Sequence, residues 1–297
     1  EAYNSRGSAY KNIKIYDKAL SDYERVFELN PNYDFILGKI VHSKMFLCDW
    51  KNFDAIIEKI NYGLTKRLKV IDPFSYLGIV DNPTHAKLAS EIFVESNFPN
   101  NQNVQLLLNN KNKKIKIAYF SADFHDHPVL HLMMDVFKNH NKEKFDIHAF
   151  SMGPDKNDKW RNEVKNYINQ FRDISKVSDL EVINLVRSLK IDIAIDLSGY
   201  TGGNNRSIFA NRVAPIQISY LGFPGTTALQ NMDYIIADET IIPKKKIKYY
   251  SEKVIYLPNC YQANMNQREI SDKNLSRDQF GLPKDSFIYC CFNNSYK

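Results

Sequence analysis

The chain has 297 residues, 43% hydrophobic and 25% charged, a composition typical of globular proteins with room for two domains. The net charge of +6 comes from scattered lysines without aromatic interleaving or a nucleic-acid-binding motif, so we expect no nucleic acid partner. No apolar run reaches the roughly 18 residues of a membrane span, and the first residues lack a signal-peptide profile. We therefore expect a cytoplasmic protein without a membrane partner.

The cysteines show neither CxxC spacing nor a disulfide framework. They are Cys48, Cys260, Cys290 and Cys291, the last two adjacent within an apolar run. We expect reduced, buried thiols and no zinc site.

Residues 1–33 match the tetratricopeptide (TPR) spacing of small and aromatic residues. The matching positions are Gly7, Tyr10, Ala19, Tyr23 and Pro31. The small residues allow two antiparallel helices to approach closely, the tyrosines fill the seam, and the proline ends the second helix. The alternative is an isolated helical hairpin.

A second, degenerate helical pair is indicated by residues 49–60, and a lone repeat cannot bury its own apolar face. We therefore predict TPR-like repeats over residues 1–63, and we expect the chain to start inside a longer array. From 64 to 112 a helical bridge is predicted, interrupted by prolines at 73, 83 and 99 and ending in a polar run.

From residue 113 apolar β-rich runs recur, with amphipathic helix patterns between the first several. Strands are predicted at 115–120, 145–151, 191–197, 216–222, 234–238, 253–258 and 287–292, and helices at 130–139, 159–170, 179–189 and 204–211. This alternation predicts an α/β fold, a Rossmann-like doubly wound lobe over 113–285, with 286–297 beginning a further lobe. Ligands bind such sheets beyond the carboxyl ends of the strands.

The loop after the first predicted strand concentrates acidic and imidazole side chains, namely Asp123, His125, Asp126, His127 and His131. Histidine can accept a hydroxyl proton at neutral pH while an aspartate orients it, which favours acid/base chemistry or substrate binding. Two alternatives stay open. One is a metal site, because HxH and HxxxH both occur, although Pro128 predicts a turn between the rings. The other is a helix start with capping aspartates and solvated histidines.

Three later segments follow predicted strands. The glycines of SGYTGG (198–203) let a ligand approach the backbone, and amides at the following helix start can face an anion. The rigid turn LGFPGT (221–226) can present Leu221 to a sugar. Lys297 can neutralise a diphosphate. Ordinary tight turns and an exposed lysine are the alternatives.

Taken in order, these segments resemble the O-GlcNAc transferase family, which includes the Spindly-type O-fucosyltransferases. The resemblance covers nearly the whole chain, is closest to bacterial members, and is carried by the TPR repeat, IAYFSADFHDHPVLHLM, GYTGG, APIQISYLGFPGTT, MDYIIAD, YSEKVIYLPNCYQ, and GLP followed by FNNSYK. It implies a two-lobed GT-B glycosyltransferase with its second lobe truncated here. It also implies transfer of a sugar, first of all GlcNAc from UDP-GlcNAc, to Ser or Thr of acceptor proteins, with inversion and without metal or other cofactor.

The resemblance also implies roles for individual residues. His127 and Asp123 fall on the active-site histidine and its acidic neighbour, and Lys297 falls on the lysine that contacts the diphosphate; these three are the predicted catalytic residues. The predicted substrate-binding residues are Tyr200, Thr201, Leu221, Gly222, Pro224 and Asn294. Whether His127 is the base or only a ligand of the donor stays open.

Three departures from the family pattern bear on donor and acceptor preference. Gly202 stands where animal members have lysine, Val213 replaces a proline, and DPFSYL (72–77) replaces a histidine-rich run. We expect the 297-residue fragment to be inactive alone. The alternative functions are a TPR protein-binding scaffold with a non-catalytic lobe, an O-fucosyltransferase using GDP-fucose, and a metal-dependent hydrolase at the histidine cluster.

Overall fold

The computed structural model describes residues 1–99, 105–107, 113–201, 207–266 and 271–293. These residues form a helical part followed by an α/β lobe. The helices are α1 (Ala2–Asn12), α2 (Tyr16–Leu29), α3 (Ile36–Phe46), α4 (Phe53–Thr65), α5 (Pro73–Leu77), α6 (Pro83–Asn97), α7 (Pro128–Asn139), α8 (Lys159–Val164) and α9 (Asp179–Ser188). The strands are β1 (Ile115–Ser121), β2 (Phe145–Ser151), β3 (Gln170–Asp173), β4 (Ile193–Asp196), β5 (Ile216–Ser219), β6 (Tyr234–Ala237) and β7 (Lys253–Tyr256).

The predicted repeat is formed by α1 and α2, which pack together along a seam of small and aromatic residues. Ala19 and Tyr23 are buried in this seam. A Cβ atom on Gly7 would lie 2.8 Å from the Tyr23 ring, closer than real Cβ contacts allow. Glycine at this position therefore lets the two helices approach, as the spacing predicts. Helices α3 and α4 continue the stack.

Two bridge helices begin at an Asp-Pro or Asn-Pro pair. The side chain of Asp72 accepts the Ser75 amide at 2.9 Å, and that of Asn82 accepts the His85 amide at 3.1 Å. In both helices proline occupies the first turn, where its missing N–H has no intrahelical partner to lose. The DPFSYL segment is thus a capped helix start.

The lobe contains one parallel sheet in the order β3-β2-β1-β4-β5-β6-β7 within the described residues. The chain runs outward in one direction from β1 to β3 and in the other from β4 to β7. The topological switch point therefore lies between β1 and β4, and in such sheets ligands bind beyond the carboxyl ends of the strands at this point. This order confirms the doubly wound prediction.

The central strand β1 is buried on both faces. Ala118 and Phe120 pack in the core with α6 and α9, whereas Ile117 and Tyr119 pack in the core with α7. Each large apolar side chain buried in this way contributes about 1.5–3 kcal/mol. Because α6 shares the first core, the helical bridge covers one face of the sheet.

The prediction of a helix over 159–170 was wrong for the second half of that range. Helix α8 ends at Val164, and the short edge strand β3 begins at Gln170 and pairs with β2. Its single large apolar residue, Phe171, packs against the Phe124 ring at 5.6 Å. Strand β3 has four residues and one apolar side chain, so its sequence shows no alternation of apolar and polar residues. The helix prediction therefore ran past the true end of α8.

The strand predicted over 287–292 was also wrong. This part of the described chain has no regular structure, and Phe287, Tyr289 and Phe292 are 79–97% exposed. An apolar run becomes a strand only when a neighbour satisfies its backbone groups, and none of the described residues pairs with it. The cysteine prediction fails for the same reason at Cys290 and Cys291. All four thiols are free, as expected, but exposed.

Where an amphipathic helix is predicted over 204–211, the structure describes only a 3-10 turn at Phe209–Asn211. Residues 202–206, which include Gly202, lie outside the described part. Across the described residues, no helix combines the length and apolarity needed to cross a bilayer.

Candidate active site at the carboxyl edge of the sheet

The loops that follow β1, β4 and β5 are joined into one rim. The Leu197 amide donates to the Phe120 carbonyl at 2.9 Å, and the Ala122 amide donates to the Ser198 hydroxyl at 3.1 Å. A Cβ atom on Gly222 would lie 2.1 Å from the Leu197 carbonyl oxygen. The third loop therefore lies directly against the second, and only glycine fits at the contact. These backbone contacts join the three loops at the switch point.

The loop after β2 meets the same rim from the other side. The Met152 amide donates to the Ser121 carbonyl at 2.8 Å, and a Cβ atom on Gly153 would lie 1.9 Å from the Ala122 carbonyl oxygen. The loops after β2, β1, β4 and β5 thus lie together at the carboxyl edge of the sheet, as expected for parallel strands.

His127 lies at this rim as the N-cap residue of α7. Its Nδ1 atom accepts the Val129 amide at 3.3 Å and lies 3.6 Å from Oδ2 of Asp123. While Nδ1 accepts that amide, the hydrogen of the neutral ring is on Nε2. If Nδ1 instead carries the hydrogen toward Asp123, Nε2 becomes a base. The ring is 38% exposed, so ligands can reach it.

The other two imidazoles of this segment, one in the loop and one in α7, have different environments. His125 is buried, its ring centroid is 5.6 Å from that of His127, and burial followed by the charge of Lys156 lowers its pKa, so it stays neutral at pH 7. His131 is hydrogen-bonded to Asp126 at 2.7 Å and lies against Trp160, with centroids 4.1 Å apart. The three rings therefore do not converge. Within the described part of the chain, no group of three His, Cys, Asp or Glu side chains is arranged to hold a metal ion.

Asp196 shapes the loop after β4. Its Oδ1 atom accepts the amides of Ser198 and Gly199 at 2.9 and 3.0 Å. Burial raises the pKa of this carboxyl group, and the two amide hydrogen bonds oppose the increase. Gly199 has φ +53°, and a Cβ atom there would lie 2.5 Å from that of Phe223. The turn thus depends on a buried acceptor and a glycine.

The side chain of Tyr200 lies in the core beneath the rim. Its ring packs between Phe93 and Phe223, at centroid distances of 5.0 and 5.2 Å, and its hydroxyl donates to the Thr227 carbonyl at 2.5 Å. Burial raises its pKa well above the usual value, so the hydroxyl remains protonated. The next residue, Thr201, is half-buried and donates its hydroxyl to the Ser198 carbonyl at 2.7 Å.

The predicted sugar turn after β5 has a strained backbone. Leu221 has φ +71°, a left-handed conformation that costs a branched side chain about 1–2 kcal/mol. It packs partly buried against the α7 face of the core. Pro224 is exposed, and its carbonyl accepts the Tyr250 hydroxyl at 3.0 Å.

Comparison with known proteins identifies the family. The model for glycosyl transferase family 41 matches residues 82–270, and a tetratricopeptide repeat model matches residues 1–33. The chain belongs to glycosyl transferase family 41.

Relatives of this family 41 chain include two eukaryotic proteins. It is 30% identical over 279 residues to the probable UDP-N-acetylglucosamine--peptide N-acetylglucosaminyltransferase SEC of Arabidopsis thaliana, a match covering 87% of this chain and 29% of that protein. It is 27% identical over 262 residues to the UDP-N-acetylglucosamine--peptide N-acetylglucosaminyltransferase of Caenorhabditis elegans, covering 82% and 23%. The chain therefore spans less than a third of either relative.

A solved structure of a mutant Thermobaculum terrenum O-GlcNAc transferase superposes with a TM-score of 0.70 at 21% identity. The match covers 88% of this chain and 51% of that one. At this identity the likeness shows the fold alone, and it agrees with the predicted succession of TPR repeat and GT-B-type lobe.

The predicted site residues of the family 41 chain divide into three groups. His127, Asp123, Thr201, Leu221, Gly222 and Pro224 lie on the loops of the rim, the Tyr200 side chain lies beneath it, and Asn294 and Lys297 lie outside the described residues. Sequence reasoning missed Asp196, although an aspartate ending an apolar strand run signals a turn acceptor. It also missed Arg161, which sits in an ordinary-looking amphipathic segment.

Proposed function

We propose that the protein transfers a sugar, GlcNAc from UDP-GlcNAc, to Ser or Thr hydroxyls of proteins, with inversion at the anomeric carbon. The observation that carries this proposal is the reachable His127–Asp123 pair, 3.6 Å apart, on the rim at the switch point of the sheet. Membership of family 41 and the activities named for its relatives support the same reaction.

In the proposed reaction the acceptor hydroxyl oxygen attacks the anomeric carbon as the bond from that carbon to the UDP phosphate oxygen breaks. The hydroxyl proton leaves to a base, and UDP leaves with the bonding electrons. Lys297 would neutralise the charge that develops on the diphosphate, so we propose that no metal ion is needed. The TPR repeat would hold acceptor proteins.

His127 can serve this reaction in two ways. In the tautomer that accepts the Val129 amide, its Nε2–H donates to an oxygen of the substrate. In the other tautomer, Asp123 holds the Nδ1–H and Nε2 accepts the hydroxyl proton. A phosphate oxygen of the donor would accept the proton in the first case.

Transfer of labelled GlcNAc from UDP-GlcNAc to an acceptor protein, measured with the full-length protein, tests the proposal. We expect His127→Ala to lower kcat at least about 10²-fold. The control is His131→Ala, which removes a nearby imidazole from α7; that ring contacts Asp126 and Trp160. Equal kcat in the wild type and His127→Ala would show that His127 takes no part in the reaction, whereas absence of transfer by the wild type would support a binding scaffold.

The same assay separates the alternatives. Transfer from GDP-fucose but not from UDP-GlcNAc would identify an O-fucosyltransferase, and loss of activity on chelation, restored by zinc, would overturn metal independence. The 297-residue chain alone is proposed to be inactive, and transfer by it would contradict that.

Asp123→Asn distinguishes the two roles of His127. If His127 is the base, the amide stabilises its imidazolium poorly, and we expect kcat to fall by about 10²-fold or more. If His127 only donates from Nε2, the Val129 amide still fixes that tautomer, and kcat should change less than about threefold.

A further inference from the structure

The residue that caps α8 is hydrogen-bonded to the backbone of the loop before His127. The carboxylate of Asp158 accepts two amides with different oxygens. One is the Arg161 amide at 2.9 Å, which caps α8, and the other is the Asp126 amide at 2.8 Å, which belongs to the candidate active-site loop. One side chain therefore ties the helix start to the residue before His127.

The buried side chain of Arg161 is hydrogen-bonded to the same loop. It is 1% exposed, and its guanidinium donates to the Phe124 carbonyl at 3.2 Å and to the Ser151 hydroxyl at 2.7 Å. Its charge is balanced by Asp173 at 2.7 Å and by Asp155, whose Oδ1 atom is 2.8 Å from Nε. The planar guanidinium thus joins the loop after β1 to the carboxyl ends of β2 and β3.

The hydrogen bonds of Arg161 and Asp158 to the loop lie on either side of one residue, His125. The Phe124 carbonyl and the Asp126 amide flank His125 on either side, and His127 follows directly. A buried charge is costly unless it is fully paired, and replacing such a pair by apolar side chains is often neutral for stability. Stability alone therefore gives no reason for an arginine whose hydrogen bonds reach the backbone of a site loop.

We propose that Asp158 and Arg161 are positioning residues that hold the His127 imidazole in register with the donor sugar. This inference rests on the proposed transferase function. Misplacing a reacting group by 1 Å can cost about 10²-fold in rate, so loosening either contact should act on kcat more than on substrate binding. Neither side chain needs to touch the substrate.

The experiment compares three variants of the full-length protein. Asp158→Ser keeps a good N-cap for α8 but loses the second carboxylate oxygen, Oδ2, which accepts the Asp126 amide. Arg161→Lys keeps the charge but loses the planar fork. The matched control is Arg212→Lys, which changes another buried arginine, paired with Asp233 at 2.7 Å and located before β5 at the opposite, amino edge of the sheet.

Three measurements are made on each variant: the thermal midpoint, kcat and KM at a temperature below every midpoint, and hydrogen exchange of the Asp126 amide. For Asp158→Ser and Arg161→Lys we expect kcat to fall by about 10- to 100-fold while KM changes less than about threefold. Asp158→Ser should also increase exchange at Asp126. Arg212→Lys should lower the midpoint and leave kcat within about twofold.

The outcomes separate the two proposals. Unchanged kcat in Asp158→Ser, or losses of kcat that simply follow the thermal midpoint in all three variants, would overturn the positioning role. If the wild type transfers no sugar at all, the proposed function fails, whereas the exchange of Asp126 still reports whether Asp158 holds the loop.

Discussion

The contact between the loops after β1 and β2 can be tested by adding one methyl group at Gly153. A Cβ atom there would lie 1.9 Å from the Ala122 carbonyl oxygen, whereas real Cβ atoms stay beyond 3.0 Å, so the loops must separate by about 1 Å. Overpacking against a backbone atom costs about 1–3 kcal/mol. Separation also breaks the bond from the Met152 amide to the Ser121 carbonyl, about 1 kcal/mol more. We therefore expect Gly153→Ala to destabilise the protein by about 2–4 kcal/mol.

Thermal unfolding followed by circular dichroism measures this loss. At about 2–4 °C per kcal/mol for a domain of this size, we expect a midpoint roughly 4–16 °C below the wild type. The control is Gly281→Ala in an exposed segment outside the core, where an added Cβ meets nothing within 4 Å and the cost is only that of the left-handed backbone (φ +61°), about 1–2 kcal/mol. A Gly153→Ala midpoint no lower than that of the control would refute the close approach of the two loops.

Three further substitutions test the packing beneath the rim and in the helical part. Tyr200→Phe removes the hydroxyl that donates to the Thr227 carbonyl in the core, and denaturant unfolding should show a loss of about 1–2 kcal/mol. Ser198→Ala leaves the Ala122 amide without its acceptor and should cost about 1–3 kcal/mol in the same assay; a neutral result would contradict that hydrogen bond. Burial and a neighbouring lysine lower the pKa of His42 from 6.5 to about 4, so the unfolded state binds the proton first and stability falls as pH drops from 6.5 to 4. His42→Gln should remove up to about 3 kcal/mol of that decline, and equal pH slopes for both proteins would contradict it.

Much of the fold could be predicted because its signals are local. The TPR seam depends on residues within one helical hairpin, and Gly7 and Tyr23 meet as their spacing requires. The central strands are long apolar runs because they are buried on both faces, so their order in sequence already indicates a parallel sheet. By contrast, β3 has four residues at the sheet edge and is stabilised by contacts of Phe171 that arise only after folding.

The candidate site was predictable in part. A loop such as that of His127 is recognisable because its side chains are chemically distinctive and follow a strand, and the parallel topology brings it to the switch point. Whether a side chain faces ligand or core depends on three-dimensional packing. Tyr200 lies on a predicted loop, yet its ring fills the space between Phe93 and Phe223.

The sequence alone thus determines the repeat, the α/β lobe and the loops of the candidate site, because each depends on short-range periodicity or on residue type. Only the tertiary structure decides which backbones touch. Contacts between segments that are far apart in sequence, such as Gly222 against Leu197 or Arg161 against Phe124, produce no periodic pattern in the sequence. They depend on the register of parallel strands, and that register exists only once the sheet has formed.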